Sequence, residues 1–213
     1  MKPISESRTC RLAVAVVGVV ILAGSMAGPV SQTGPGTGTI RGVVKDRLVL
    51  RNPAAIYIEK TDGGVLQPPE ITPVLDQKDL KFVPHVLPVA VGTTVDFPNS
   101  DSVRHSVFST KKSAKQFNLG TYGVDVVKKV EFDTPGVTTL LCNVHAEMVA
   151  YVITVETPHF TVTDRRGNFS IENVPAGSYS LTMWHERLKE TTSEVTVSAG
   201  QIVDVEFSGL KLR

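Results

Sequence analysis

What most limits the fold of this chain is how often its apolar runs are interrupted. From Thr39 onward, stretches of strand length such as TIRGVVK, VLPVAV, HSVFS, GVTTLL and VAYVITV are each cut off within a few residues by Gly, Pro or an Asn/Ser/Asp turn. Val and Thr are abundant in these runs, and no long amphipathic helix emerges between them. The pattern predicts an all-β protein built of sandwiches. With 213 residues, 41% hydrophobic and 20% charged, the chain can bury a core in one domain or two small ones. The formal charge of +1, without a long basic run or basic-aromatic interleaving, speaks against a nucleic-acid partner.

The first 27 residues read as a targeting segment. Lys2, Arg8 and Arg11 precede an apolar run from Leu12 to about Ala23, and Ser25-Met26-Ala27 offers a cleavage site. Removing that segment takes three basic groups and Glu6 with it, so the formal charge goes from +1 to −1. The competing reading is an uncleaved anchor, because Leu12 to Val30 can be stretched to the length that spans a bilayer. Export leaves Cys142 as the single thiol after cleavage, with no disulfide partner. A lone thiol in an oxidising compartment must be buried or bound to something.

Residues 28–38 (including SQTGPGTG) read as a flexible linker, and TDGGVLQPPEITP (61–73) breaks regular structure with glycines and prolines. Between that break and about Val155 lie further strand candidates, TTVDFPN, VVKKVEF and GVTTLLC among them. Beyond Thr157, FTVTDRRGNFSIENVPAGSYSLTMWHE and SEVTVSAGQIVDVEF supply another set, with tight turns at Arg166-Gly167, Pro175-Ala176-Gly177 and Ala199-Gly200.

The chemistry concentrates in LLCNVHAEMVAY, where Cys142, His145 and Met148 are spaced three apart. Upstream, His105 opens the strand HSVFS after a turn rich in Asn, Ser and Asp, so His105 and Cys142 can meet at neighbouring strand ends. Two imidazoles and a thiolate with a weak axial thioether are the donors of an electron-transfer copper site. Zinc is the rival metal, but structural zinc takes four strong N or S donors and a thioether serves it poorly. His85, His159 and His185 have no second soft or imidazole donor near them in sequence and read as structural. Lys111, Lys112, Lys115, Lys128 and Lys129 read as a solvated hairpin, with a docking patch for an acidic partner as the alternative.

The stretch FVPHVLPVAVGTTVDFPNSDSVRHSVFS…FNLGTYG…FDTPGVTTLLCNVHAEM resembles a cupredoxin over roughly residues 76–155, and its Cys-x-x-His-x-x-Met spacing is similar to that of amicyanin. The whole chain further resembles periplasmic cupredoxin-like proteins of the methylamine utilisation type. The resemblance implies a Greek-key β-sandwich, one copper ion cycling between Cu(I) and Cu(II), and His105, Cys142, His145 and Met148 as its ligands. One departure is Ser106, where amicyanin-like sequences commonly carry Asn after the first ligand. The flanking GTIRGVVK, NPAAIYIEK and FTVTDRRGNFSIENVPAGSYSLTMWHE look like two parts of one carboxypeptidase-regulatory-like domain, a transthyretin-type β-sandwich. The expected organisation is therefore a split sandwich (39–60 with 157–213) holding an inserted cupredoxin domain (61–156). The alternative is two consecutive domains.

The resemblance implies a periplasmic one-electron carrier, not an enzyme, serving redox partner proteins such as a dehydrogenase or cytochrome. Membrane attachment follows only from an uncleaved N-terminus. An oxidase or reductase would need an open coordination position or a second metal. The other alternative is a binding module in which copper is structural or in transit. For the carrier, the resemblance nominates His145 as the electron port. Ala146 beside it and the apolar Pro84, Val86, Leu87 and Pro88 are expected to surround it.

Overall fold

Alternation decides which way each strand faces. The structure is a computed structural model that describes residues 36–59 and 72–213. The expected targeting segment, most of the linker and nearly all of the break at 61–73 lie outside the described residues. The chain is all-β: β1 (Thr37–Val44), β2 (Ala55–Ile58), β3 (Asp76–Lys78), β4 (Lys81–Val83), β5 (Val86–Ala90), β6 (Thr93–Phe97), β7 (His105–Ser109) and β8 (Asn118–Tyr122). There follow β9 (Lys128–Phe132), β10 (Gly136–Leu141), β11 (Val149–Val155), β12 (Phe160–Val162), β13 (Asn168–Pro175), β14 (Gly177–Trp184), β15 (Thr191–Val197) and β16 (Ile202–Phe207). No described helix is long and apolar enough to cross a membrane. Strand β1 begins at Thr37, inside the stretch expected to be linker.

Two layered bodies share residues 36–213. In the first, a five-stranded sheet runs β5-β11-β10-β7-β8. Facing it, β6 pairs with β9 and β3 with β4, and parallel bridges Val74↔Asp96 and Gln77↔Asn99 tie β3 to the β6 side. Phe97, Phe132, Val95, Val107, Leu140 and Val152 fill the space between, and Cys142 and Met148 belong to the same buried cluster. In the second, β13-β1-β16 lies over β12-β2-β14-β15. Ile40, Ile56, Ile58, Leu181 and Met183 form its core.

Strand β2 comes early in the chain but pairs late. It runs antiparallel to β14 with Ile56↔Met183 and Ile58↔Leu181, and to β12 with Tyr57↔Phe160. The Thr157 hydroxyl donates to the Ile58 carbonyl at 2.8 Å, and the Ile58 N–H donates to the His159 carbonyl at 3.0 Å. The end of β2 therefore lies beside Thr157, 99 residues further along the chain from Ile58.

The two bodies are joined by a two-sided strand. In β11, Ala150 and Val152 point into the first core, while Ile153 and Val155 point out. Those outward residues, with Val86, meet Ala55 and Trp184 of the second body in a third buried cluster. Continuous apolar character in VAYVITV is what a strand covered on both faces requires.

Beside this cluster, polar groups lock the junction. His85 lies with its ring nitrogens 3.1 Å from the Val149 carbonyl and 3.0 Å from the Glu186 carboxylate. The Asn52 side-chain amide donates to the other Glu186 oxygen. Burial works against the Glu186 charge, yet the bonds from Asn52 and His85 outweigh it and hold this carboxyl below its ordinary value of 4.5. Glu186 thus contributes stability that is present above the unfolded carboxylate range and lost as pH falls through the lowered folded value. Replacing Glu186 by Ala leaves buried donors unpaired and should cost about 1–3 kcal/mol in urea unfolding at neutral pH. The deficit should shrink in acid, where the wild type loses the same contribution.

Candidate metal centre

The β7–β10 ladder explains how the candidate ligands meet. Strands β7 and β10 pair at Leu140↔Ser109 and Leu141↔Phe108, a register that would set Asn143 opposite Ser106. There the backbone ladder gives way to a side chain, and the Asn143 N–H donates to Ser106 Oγ at 2.7 Å. The Cys142 sulfur lies beside this rung. Sγ then accepts the Ser106 N–H and the Val144 N–H, each at 3.4 Å, with the Ser106 hydroxyl at 3.8 Å.

His105 is fully buried at the first position of β7, with Nδ1 4.0 Å from Cys142 Sγ. The His145 Nδ1 lies 3.0 Å from the His105 Nδ1. Ligand atoms of His105, Cys142 and His145 all fall within 4.8 Å of one another, and no other such group of His, Cys, Asp or Glu occurs among the described residues. Met148 is buried in the adjoining core, and its N–H donates to the His145 carbonyl at 3.0 Å, which makes His145–Met148 a tight turn.

The surroundings favour a thiolate and a defined imidazole tautomer. Burial alone would push the Cys142 thiol up, but the N–H groups of Ser106, His145 and Val144 and the Ser106 hydroxyl prevail and bring it below its ordinary value of 9.0. On the far side of His105, Nε2 lies 2.7 Å from Asp101 Oδ2. The Asp101 carboxylate also accepts the N–H groups of Asp79 at 2.7 Å and Leu80 at 3.0 Å. Burial opposes its charge, and Leu80, His105 and Asp79 together more than offset that, so the group stays below the usual carboxylate range. Asp101 is thus placed to accept an Nε2–H from His105, while the ring turns Nδ1 toward the cluster.

Several surrounding residues were not visible in the sequence pattern. Asp101 lies in an Asn/Ser/Asp turn that reads simply as solvated loop. Asn99 caps the same turn, with its amide donating to the carbonyls of Val103 and Tyr122. Gln77 donates to Pro98 O at 2.8 Å and to Tyr122 Oη at 2.6 Å. Leu87 and Pro88 line an apolar cleft with Pro73, Pro158 and Phe160, and lie opposite Val152 and Ile153 in the parallel pair of β5 with β11. His145 is partly exposed beside exposed Val144, Ala146 and Glu147, so its rim carries a charge as well as apolar surface. Within the lysine group, Lys115 pairs with Asp133, Lys129 with Asp96, and Lys128 donates to the Leu119 carbonyl. The charges of Lys115 and Lys129 are thus engaged within the chain.

A family model for the carboxypeptidase regulatory-like domain matches residues 145–209. The match takes in β11, which hydrogen-bonds to β5 and β10, and omits β1 and β2, which pair with the strands it covers. No curated protein matches the chain. Among solved structures, the chain is similar to a Cu(I) amicyanin mutant at 20% identity, over 39% of this chain and 81% of that one, with a TM-score of 0.37. It is similar to a purple cupredoxin from Nitrosopumilus maritimus at 25% identity, covering 38% and 98%, with a TM-score of 0.35. A copper-containing nitrite reductase from Thermus scotoductus SA-01 matches at 22% identity, covering 55% and 28%, with a TM-score of 0.39.

Changing Ser106 to Ala removes the acceptor for Asn143 and one donor to the sulfur. The metal-free variant should lose about 1–3 kcal/mol in urea unfolding. Its Cys142 thiolate, followed by ultraviolet absorbance, should form at higher pH than in the wild type.

Proposed function

We propose that this chain is a copper-binding electron carrier of the cupredoxin type, with His105, Cys142, His145 and Met148 holding one copper ion. The observation that carries the reading is the convergence of His105 Nδ1, Cys142 Sγ and His145 Nδ1 within 4.8 Å, from chain segments 37 residues apart. The donors fit copper by their chemistry. A depressed thiol and two imidazoles are strong ligands to both oxidation states, and a buried thioether close by in sequence suits a weak axial position. When bound, copper supplies a one-electron couple between Cu(I) and Cu(II).

The protein's part is to keep that set closed and fixed. Cys142, His105 and Met148 are buried, so water has little access to those ligands. His145 alone of the four is partly exposed, which makes its ring edge the route by which an electron reaches a docked partner. Four protein donors leave no coordination position for substrate, and for that reason we read a carrier and not an enzyme. The partner is a redox protein, docking briefly over Val144, Ala146 and Glu147. The reading also takes residues 61–156 as a domain inserted into a sandwich made from 39–60 and 157–213. The pairing of β2 with β12 and β14, and the bonds joining Ile58 to Thr157 and His159, support it. Export to the periplasm follows from the charged and apolar residues 2–23.

Purified from residue 28 and loaded with copper, the protein should take up one ion per chain and show an intense visible band that bleaches on reduction. Cys142→Ser should abolish that band, because a hydroxyl is a harder donor and far less readily deprotonated. Retention of full colour by Cys142→Ser would overturn the reading.

A further inference from the structure

The hairpin of β3 and β4 is out of keeping with its sequence. Its pairs Asp76↔Val83, Gln77↔Phe82 and Lys78↔Lys81 leave Asp79 and Leu80 as a two-residue turn. Both residues have positive φ, 53° and 58°, the conformation of a turn that ordinarily calls for Asn or Gly. Leu80 gains no place in the core in return, since it is 51% exposed. A branched side chain in the left-handed region costs backbone energy, and such strain persists where the surroundings require that backbone.

What the conformation supplies is a pair of converging N–H groups. Those of Asp79 and Leu80 reach the two oxygens of Asp101, Oδ1 at 2.7 Å and Oδ2 at 3.0 Å. The same Oδ2 receives His105 Nε2 at 2.7 Å. The Asp101 backbone N–H donates to Asn99 Oδ1 at 3.0 Å, so the residue is held through its backbone as well as its carboxylate. Arg104, next to His105 in sequence, donates instead to the Thr121 carbonyl. The hairpin turn thus holds the carboxylate that lies against the rear of the His105 ring.

We propose that Asp101, clamped by the β3–β4 turn, is a positioning residue that fixes His105 as its Nε2–H tautomer and strengthens Nδ1 as a donor, thereby setting a low reduction potential for the bound copper. This rests on the copper reading above. An anionic partner on the far ring nitrogen makes the imidazole a better electron donor. The negative charge also favours the oxidised ion over the reduced one. Neutralising Asp101 removes both effects in the same direction, so the potential must rise.

The test has two arms. In the metal-free wild type, nitrogen-15 NMR of the histidine rings should find the His105 proton on Nε2 and protected from exchange; a proton on Nδ1 overturns the proposal. In the copper-loaded protein, Asp101→Asn should shift the reduction potential upward while the visible band persists, and Asp101→Glu should return it toward the wild-type value. Leu80→Gly, which keeps both turn N–H groups and accepts positive φ without strain, should leave the potential unchanged. An unchanged or lowered potential in Asp101→Asn overturns the proposal. Should the wild type take up no copper, the copper reading fails by itself and the ring measurement still decides the clamp.

Discussion

The centre depends on a hydrogen bond that stands where a ladder bond would otherwise be. Strands β7 and β10 are paired through Leu141↔Phe108, and their next rung is made by Ser106 Oγ in place of its carbonyl. That exchange joins the strand ends beside the Cys142 sulfur, which accepts the N–H of the same Ser106. The Ser106 and Val144 N–H groups aim at the sulfur, and the Cys142–Met148 loop folds back to put the His145 Nδ1 against His105.

Rigidity reaches the site from two directions. Behind His105, Asp101 is held by a strained hairpin turn, and Asn99, Gln77 and Tyr122 form a buried polar layer beneath it. Behind Met148, β11 is packed on both faces, by the first core and by the cluster containing Ala55 and Trp184. Close packing on both sides resists displacement of the strand and of the loop that enters it. The proposed copper centre, which would serve two oxidation states with little rearrangement, would benefit from such support. The second body thus bears on the chemistry through β11 without supplying a ligand candidate.

Strand-length runs such as HSVFS and VAYVITV announce β7 and β11 almost to the residue, since alternation and β-branching act locally. The spacing of Cys142, His145 and Met148 is legible for a similar reason, because one short loop carries all three. By contrast, DQKDLKFV gives no hairpin signal, because its turn uses Asp79 and Leu80 where Asn or Gly would mark it. Strand β8 is hidden by Gly120 at a φ of 66°. Asp101 looks like any loop acid until folding sets it 2.7 Å from His105. The pairing of Ile56 and Ile58 with β14 spans more than a hundred residues, and only resemblance, never periodicity, could suggest it.

The most direct test of the central claim is X-ray absorption at the copper edge on the loaded protein. The account predicts a first shell containing one short sulfur bond and two imidazole nitrogens, with the sulfur lost in Cys142→Ser. A shell of nitrogen and oxygen alone in the wild type would contradict it.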